Sequence, residues 1–143
     1  MTVELQRVDD AFHFEAIGGS NVKVDIDGSP NIGAAGADAR PMELILMGLG
    51  GCSAIDVILI LKKQKQVVED LRIVLNGERA DAVPAVFKTI EMDFRFKGEL
   101  DPEKVRRAIQ LSVEKYCSVY AMLAGTVAIS HSFSINESKP VLK

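Results

Sequence analysis

Two cysteines, Cys52 and Cys117, carry most of the chemistry open to this 143-residue chain. They are far apart in sequence, with neither the spacing of a CxxC pair nor that of a metal-binding knuckle. Two thiols that meet after folding can reduce a peroxide. A thiolate attacks the O–O bond and becomes a sulfenic acid, a second thiol condenses with it to a disulfide, and an external thiol resets the pair. The attacking thiol needs a lowered pKa, usually from a nearby cation or a helix N-terminus. The competing reading is that both cysteines are packing residues, since free Cys is often buried and behaves as a small hydrophobe. Three details favour chemistry. Gly48 and Ile55 fall on the helix side that carries Cys52, Val113, Tyr116 and Tyr120 surround Cys117, and the tyrosine hydroxyls need partners if buried.

The element that positions Cys52 runs from Pro41 to Gln66, PMELILMGLGGCSAIDVILILKKQKQ. Pro41 suits a first helical position. From Leu44 to Leu61 only Asp56 is charged, and apolar residues lie on every side, so the helix is expected to be buried all round. Lys62, Lys63 and Lys65 then mark its emergence into water, where they suit the negative end of the helix dipole. Gly48, Gly50 and Gly51 each cost a helix interior about 1 kcal/mol relative to Ala, which predicts close approach of another backbone. Cys52 lies about three turns in, too far for the dipole to lower its pKa. Arg40 and Arg7 are therefore the candidate cations.

The rest of the chain supplies a core around that helix. Residues 3–8, 12–17 and 22–27 read as strands, with hairpin chemistry at Gly18–Asn21. Residues 28–40, rich in Gly, Pro and small residues, read as a mobile loop. Residues 71–79 and 90–96 alternate as two antiparallel strands, and Ile90, Met92, Phe94 and Phe96 share one face. Asp101-Pro102-Glu103 predicts a helix start with an Asp N-cap. Apolar positions at helical spacing then continue past Tyr120 to Gly125, and Val127–Ile135 reads as a last strand. The order βββ-α-ββ-α-β predicts an α+β fold with mainly antiparallel sheet around a long buried central helix, in one domain over residues 1–143. One sheet and one further helix cannot cover that helix completely, so a homodimer is expected to bury the remainder.

Composition excludes several classes. The net charge of −3 gives no basic field for nucleic acid. The first ten residues lack a secretory signal pattern, and two cysteines without one point to a reducing, cytoplasmic setting. Residues 42–61 are long enough to span a bilayer, yet Asp56 would cost about 2.5–3.5 kcal/mol there, and the strands need this segment as their core. No membrane role is expected. Among the other ionisable groups, Asp56 reads as a hydrogen-bonded or ion-paired acid, since its charge beside Cys52 would raise the thiol pKa. His131 reads as a structural histidine at an inward position. With only His13 and His131 available, no metal site is expected.

PMELILMGLGGCSAIDVILILKKQKQ followed by EKYCSVYAML resembles the osmotically induced protein C and organic hydroperoxide resistance (OsmC/Ohr) family, and within it the small YhfA-like branch. The resemblance implies an intertwined homodimer with sites at the subunit interface. It also implies reduction of organic hydroperoxides by an external thiol, in oxidative-stress defence, with no cofactor, metal or flavin. By motif, Cys52 matches the peroxide-attacking cysteine and Cys117 the resolving one. The family arginine of a Gly-Gly-Arg turn has no counterpart here, where Ser20 follows Gly18-Gly19. The family acid directly follows the proline, a position held by Met42, with Glu43 one place later. Ser118 stands where a proline often follows the resolving cysteine. Arg40 and Glu43 are the nearest available stand-ins for the activating pair. The alternative is a weakly active or non-catalytic dimer that binds a small apolar or thiol-reactive ligand at its interface.

Overall fold

The computed structural model describes residues 1–137. The chain divides into two compact units, Met1–Ile45 and Leu46–Lys143. One helix, α1 (Pro41–Lys63), starts in the first and continues into the second.

The first unit is an antiparallel meander of β1 (Glu4–Arg7), β2 (Phe14–Ile17) and β3 (Lys23–Ile26). Asn21 closes the β2–β3 turn by donating its N–H to the Gly18 carbonyl at 3.0 Å, at a φ of 58°. The following segment was expected to be mobile, but Asp27 ties it down. Its buried carboxylate accepts the backbone N–H groups of Gly28 (2.7 Å), Gly36 (2.9 Å) and Ala37 (3.2 Å). Burial alone would raise the Asp27 pKa, but these three donors outweigh it and hold the group below the usual carboxylate range. Within the segment, Ser29 caps a single 3-10 turn, Pro30–Ile32. Gly36 is required where it stands. Its φ is +70°, and a Cβ would meet the Pro30 ring at 2.7 Å.

The second unit is built on β4 (Asp70–Arg79), β5 (Phe87–Lys97) and β6 (Ala128–Ile135), in the order β4-β5-β6. β4 and β5 are antiparallel, as expected, while β6 returns parallel to β5 after the helical segments. Ile90, Met92, Phe94 and Phe96 are at most 2% exposed, so the predicted alternation gives the core face. Opposite them stand Leu75, Ile73 and Leu71 of β4, and Gly50 of α1 packs against Leu75, where a Cβ would lie 2.8 Å from its Cδ1. The other face carries Arg72, Glu91, Asp93 and Arg95, as befits a sheet whose antiparallel β4–β5 pair keeps one solvated side.

Two expectations are corrected here. First, α1 is not enclosed on all sides within one chain. Leu49, Gly50, Ser53, Val57 and Leu61 form a buried stripe, whereas Ile45, Met47, Ile55, Ile58 and Leu59 are exposed. A sheet can cover only one side of a cylinder. Of the three glycines only Gly50 meets a close neighbour, and that neighbour is a side chain rather than a backbone; Gly48 and Gly51 face open space. Second, the helix after Asp101 does not run unbroken to Gly125. Asp101 caps α2 (Pro102–Leu111) through the Glu103 N–H, as predicted. The chain then widens into a π-helical turn, Ser112–Tyr116. The Cys117 N–H reaches back to the Ser112 carbonyl at 2.7 Å, a five-residue bond of the kind that defines such turns. Cys117 itself is extended (φ −72°, ψ 103°) and caps the short α3 (Ser118–Leu123).

Candidate functional site

That widened turn decides where Cys117 points. Leaving the helical path and capping α3, its side chain faces α1 instead of continuing the α2 stripe. Its sulfur accepts the Tyr120 N–H at 3.3 Å and the Ser53 hydroxyl at 3.4 Å. Ser53 belongs to α1 and is fully buried, as is Ser112 at the start of the π turn. The Ser112 hydroxyl donates to Asp56 Oδ2 at 3.2 Å. Asp56 lies one turn beyond Cys52, and residues i and i+4 share a helix face. The result is a cluster in which Cys52 Sγ, Cys117 Sγ and an Asp56 carboxylate oxygen all lie within 4.8 Å of one another.

The two thiols, both free, differ in setting. Cys117 is 3% exposed, and Cys52 is half-buried. Burial pushes the Cys117 thiol up, while the Ser53 hydroxyl and Tyr120 N–H pull it down and neighbouring Cys52 adds to the rise; the net direction is upward. Cys117 therefore holds its proton. A disulfide needs a bond of about 2.05 Å, so closing the pair takes a side-chain movement of a few ångströms. Beside Asp56 opens a cavity of about 300 Å³, lined by Leu59, Ile60, Lys63, Leu111 and Tyr116. Its walls are mainly apolar, with Lys63 as a cation.

Of the residues singled out in the sequence, the structure brings together Cys52, Cys117 and Asp56. Arg40 and Glu43 belong to the first unit and make structural contacts there. The Arg40 guanidinium donates to the carbonyls of Gly36 (3.2 Å) and Asp38, and Glu43 Oε2 accepts the Arg40 backbone N–H at 3.0 Å. The latter is the N3-to-N-cap half of a capping box and fixes the start of α1. Arg7 Nε donates to the Ala11 carbonyl at 3.0 Å. His13 pairs with Asp25 at 2.9 Å. His131 pairs with Met92 in the β5–β6 register and so keeps the inward side expected for it, lining a cavity with Ile109 and Phe133, though its side chain stays exposed and is not one of the donors at the sulfurs. Sequence reasoning missed Ser53 and Ser112 as polar partners of the site. The one signal either offers is a small polar residue set within an otherwise apolar stripe.

A family model described as OsmC-like protein matches residues 33–132. Protein YhfA of Escherichia coli K12 is 47% identical over 96 residues, which span 66% of this chain and 72% of that protein. Among solved structures, a hypothetical protein from Aquifex aeolicus VF5 superposes with a TM-score of 0.80 at 33% identity, over 95% of this chain and 97% of its own. An organic hydroperoxide resistance protein OsmC from Legionella pneumophila superposes with a TM-score of 0.70 at 18% identity, over 94% and 97%. That last similarity shows the fold alone.

Proposed function

This chain belongs to the OsmC-like protein family, and from that premise we propose that it is a cysteine-based peroxidase that reduces organic hydroperoxides. The observation that carries the reading is the meeting of two sulfurs from remote segments within 4.8 Å. Cys52, the more accessible thiol, attacks as the thiolate. Its sulfur bonds to the outer peroxide oxygen, the O–O bond breaks, and the leaving alkoxide takes a proton to become an alcohol. The sulfenic acid on Cys52 is then attacked by Cys117, whose proton leaves with the hydroxyl as water, giving a disulfide. The sulfurs lose two electrons and the peroxide gains them; an external thiol returns the pair to its reduced state. Burial suits Cys117 to the second role, because a protonated thiol waits until the sulfenic acid forms. The apolar lining of the adjacent cavity favours an alkyl hydroperoxide over hydrogen peroxide.

The exposed apolar face of α1 supports a homodimer in which two copies cover Ile45, Met47, Ile55, Ile58 and Leu59, and a redox-active thiol pair fits a reducing, cytoplasmic setting. The roles of Arg40 and Glu43 in this reading are those of the loop and of the α1 cap. The test is to treat fully reduced protein with excess cumene hydroperoxide and map the thiols by mass spectrometry. A 52–117 disulfide is expected, with Cys117→Ser stopping at a trappable sulfenic acid and Cys52→Ser unreactive. Two untouched thiols would remove the reading. The cavity supports a second reading, a dimer that holds a small apolar ligand. Under that reading Cys52→Ser keeps both its ligand affinity and its cellular role.

A further inference from the structure

The donor set at the thiol pair is also that of a metal site. Two sulfurs and a carboxylate oxygen converge within 4.8 Å, from α1 and from the cap of α3. In a tetrahedral zinc site, with bonds of about 2.3 Å to sulfur and 2.0 Å to oxygen, neighbouring ligand atoms lie roughly 3.5–3.8 Å apart. The cluster therefore needs to contract by about 1.3 Å at most. Two of its three members have the outer hydrogen bonds that hold metal ligands in place. Ser112 donates to Asp56 Oδ2, and Ser53 and the Tyr120 N–H donate to Cys117 Sγ. No ion pair among those of the described residues neutralises Asp56. Once the thiols ionise, the cluster is a concentration of negative charge that none of those ion pairs offsets, Lys63 lining the adjacent cavity without pairing with Asp56.

We propose that reduced Cys52, Cys117 and Asp56 form a binding site for a thiophilic divalent cation of the zinc class, held by two thiolates and one carboxylate oxygen with a fourth position open. Sulfur ligands select such a cation over magnesium or calcium, which take oxygen donors. Binding displaces the thiol protons and occupies both sulfurs, so a loaded chain is shielded from oxidants and electrophiles. The inference does not rest on the peroxidase reading, because it concerns the reduced protein in the absence of any oxidant.

The test titrates zinc into the reduced full-length protein against a chromophoric chelator and follows maleimide labelling of the two cysteines in parallel. One zinc per chain is expected, with labelling of both thiols suppressed. Cobalt in its place should give thiolate-to-metal charge-transfer absorption and the strong visible bands of a tetrahedral site. Cys52→Ser and Cys117→Ser should each abolish the charge-transfer signature of a two-thiolate site. Ser112→Ala should weaken zinc by about tenfold, and Asp56→Asn by more than that. Zinc that leaves labelling unchanged, or affinity indifferent to Asp56→Asn, overturns the proposal. Should Asp56→Asn fail to fold, the cobalt spectrum of the unmutated chain decides: tetrahedral two-thiolate bands sustain the site, and their absence ends it.

Discussion

Ile55 offers the sharpest test of how α1 is covered. It lies one turn from Cys52 on the exposed side of the helix, 70% accessible in the single chain. Replacing it by Ser hardly perturbs the folded monomer, since the two residues have similar helix propensity. If a second copy covers this face, the cost appears in association instead. Complete burial of an Ile side chain contributes about 1.5–3 kcal/mol; at 70% remaining exposure the share available to a dimer is about 1–2 kcal/mol per copy. A two-fold interface uses the same residue twice, so Ile55→Ser should weaken the dimer by about 2–4 kcal/mol, or roughly 30- to 700-fold in dissociation constant. Sedimentation velocity over a range of concentrations measures this directly, with urea unfolding as the control for monomer stability. A dissociation constant that does not move, or a wild-type chain that stays monomeric at micromolar concentration, would refute the reasoning.

Two further outcomes follow from groups away from the sulfurs. Leu61 is fully buried on the α1 stripe, so Leu61→Ala should cost about 2–5 kcal/mol, lowering the urea midpoint without changing the slope. His13 has its pKa raised above the ordinary 6.5, mainly by the hydrogen bond to Asp25 and with help from the Asp38 charge. Its contribution to stability is complete below the unfolded pKa and is lost as pH rises through the higher folded value. An NMR titration should therefore place the His13 midpoint above 6.5, and His13→Gln should flatten the decline in stability across that window.

Much of the fold is written in local patterns. The alternation of Ile90, Met92, Phe94 and Phe96 against charged neighbours is a statement about which face of a strand meets water, and the structure keeps it. Asp101-Pro102 and Arg40-Pro41 start helices because the chemistry of a helix N-terminus is local. The site is different, because its geometry depends on departures from local pattern. Ser112 and Val113 fit an uninterrupted helical stripe, yet the chain widens to a π turn there. One extra residue in that turn swings Cys117 out of the stripe and toward α1. Asp27 likewise organises a segment whose Gly and Pro content suggests only mobility, because its partners are backbone N–H groups that no side-chain pattern reports.

The amino-acid sequence alone determined the order of the strands, the start of each long helix, the inward face of β5 and the family. Each of these depends on side-chain type and short-range periodicity, which are properties of neighbours along the chain. Only the tertiary structure decided that the sulfurs share a cluster with Asp56, that Ser53 and Ser112 hydrogen-bond to it, and that one side of α1 is left uncovered. Those facts depend on where α1 lies over one face of a single sheet and on a one-residue change in helical winding, and both are set by packing between segments far apart in the chain.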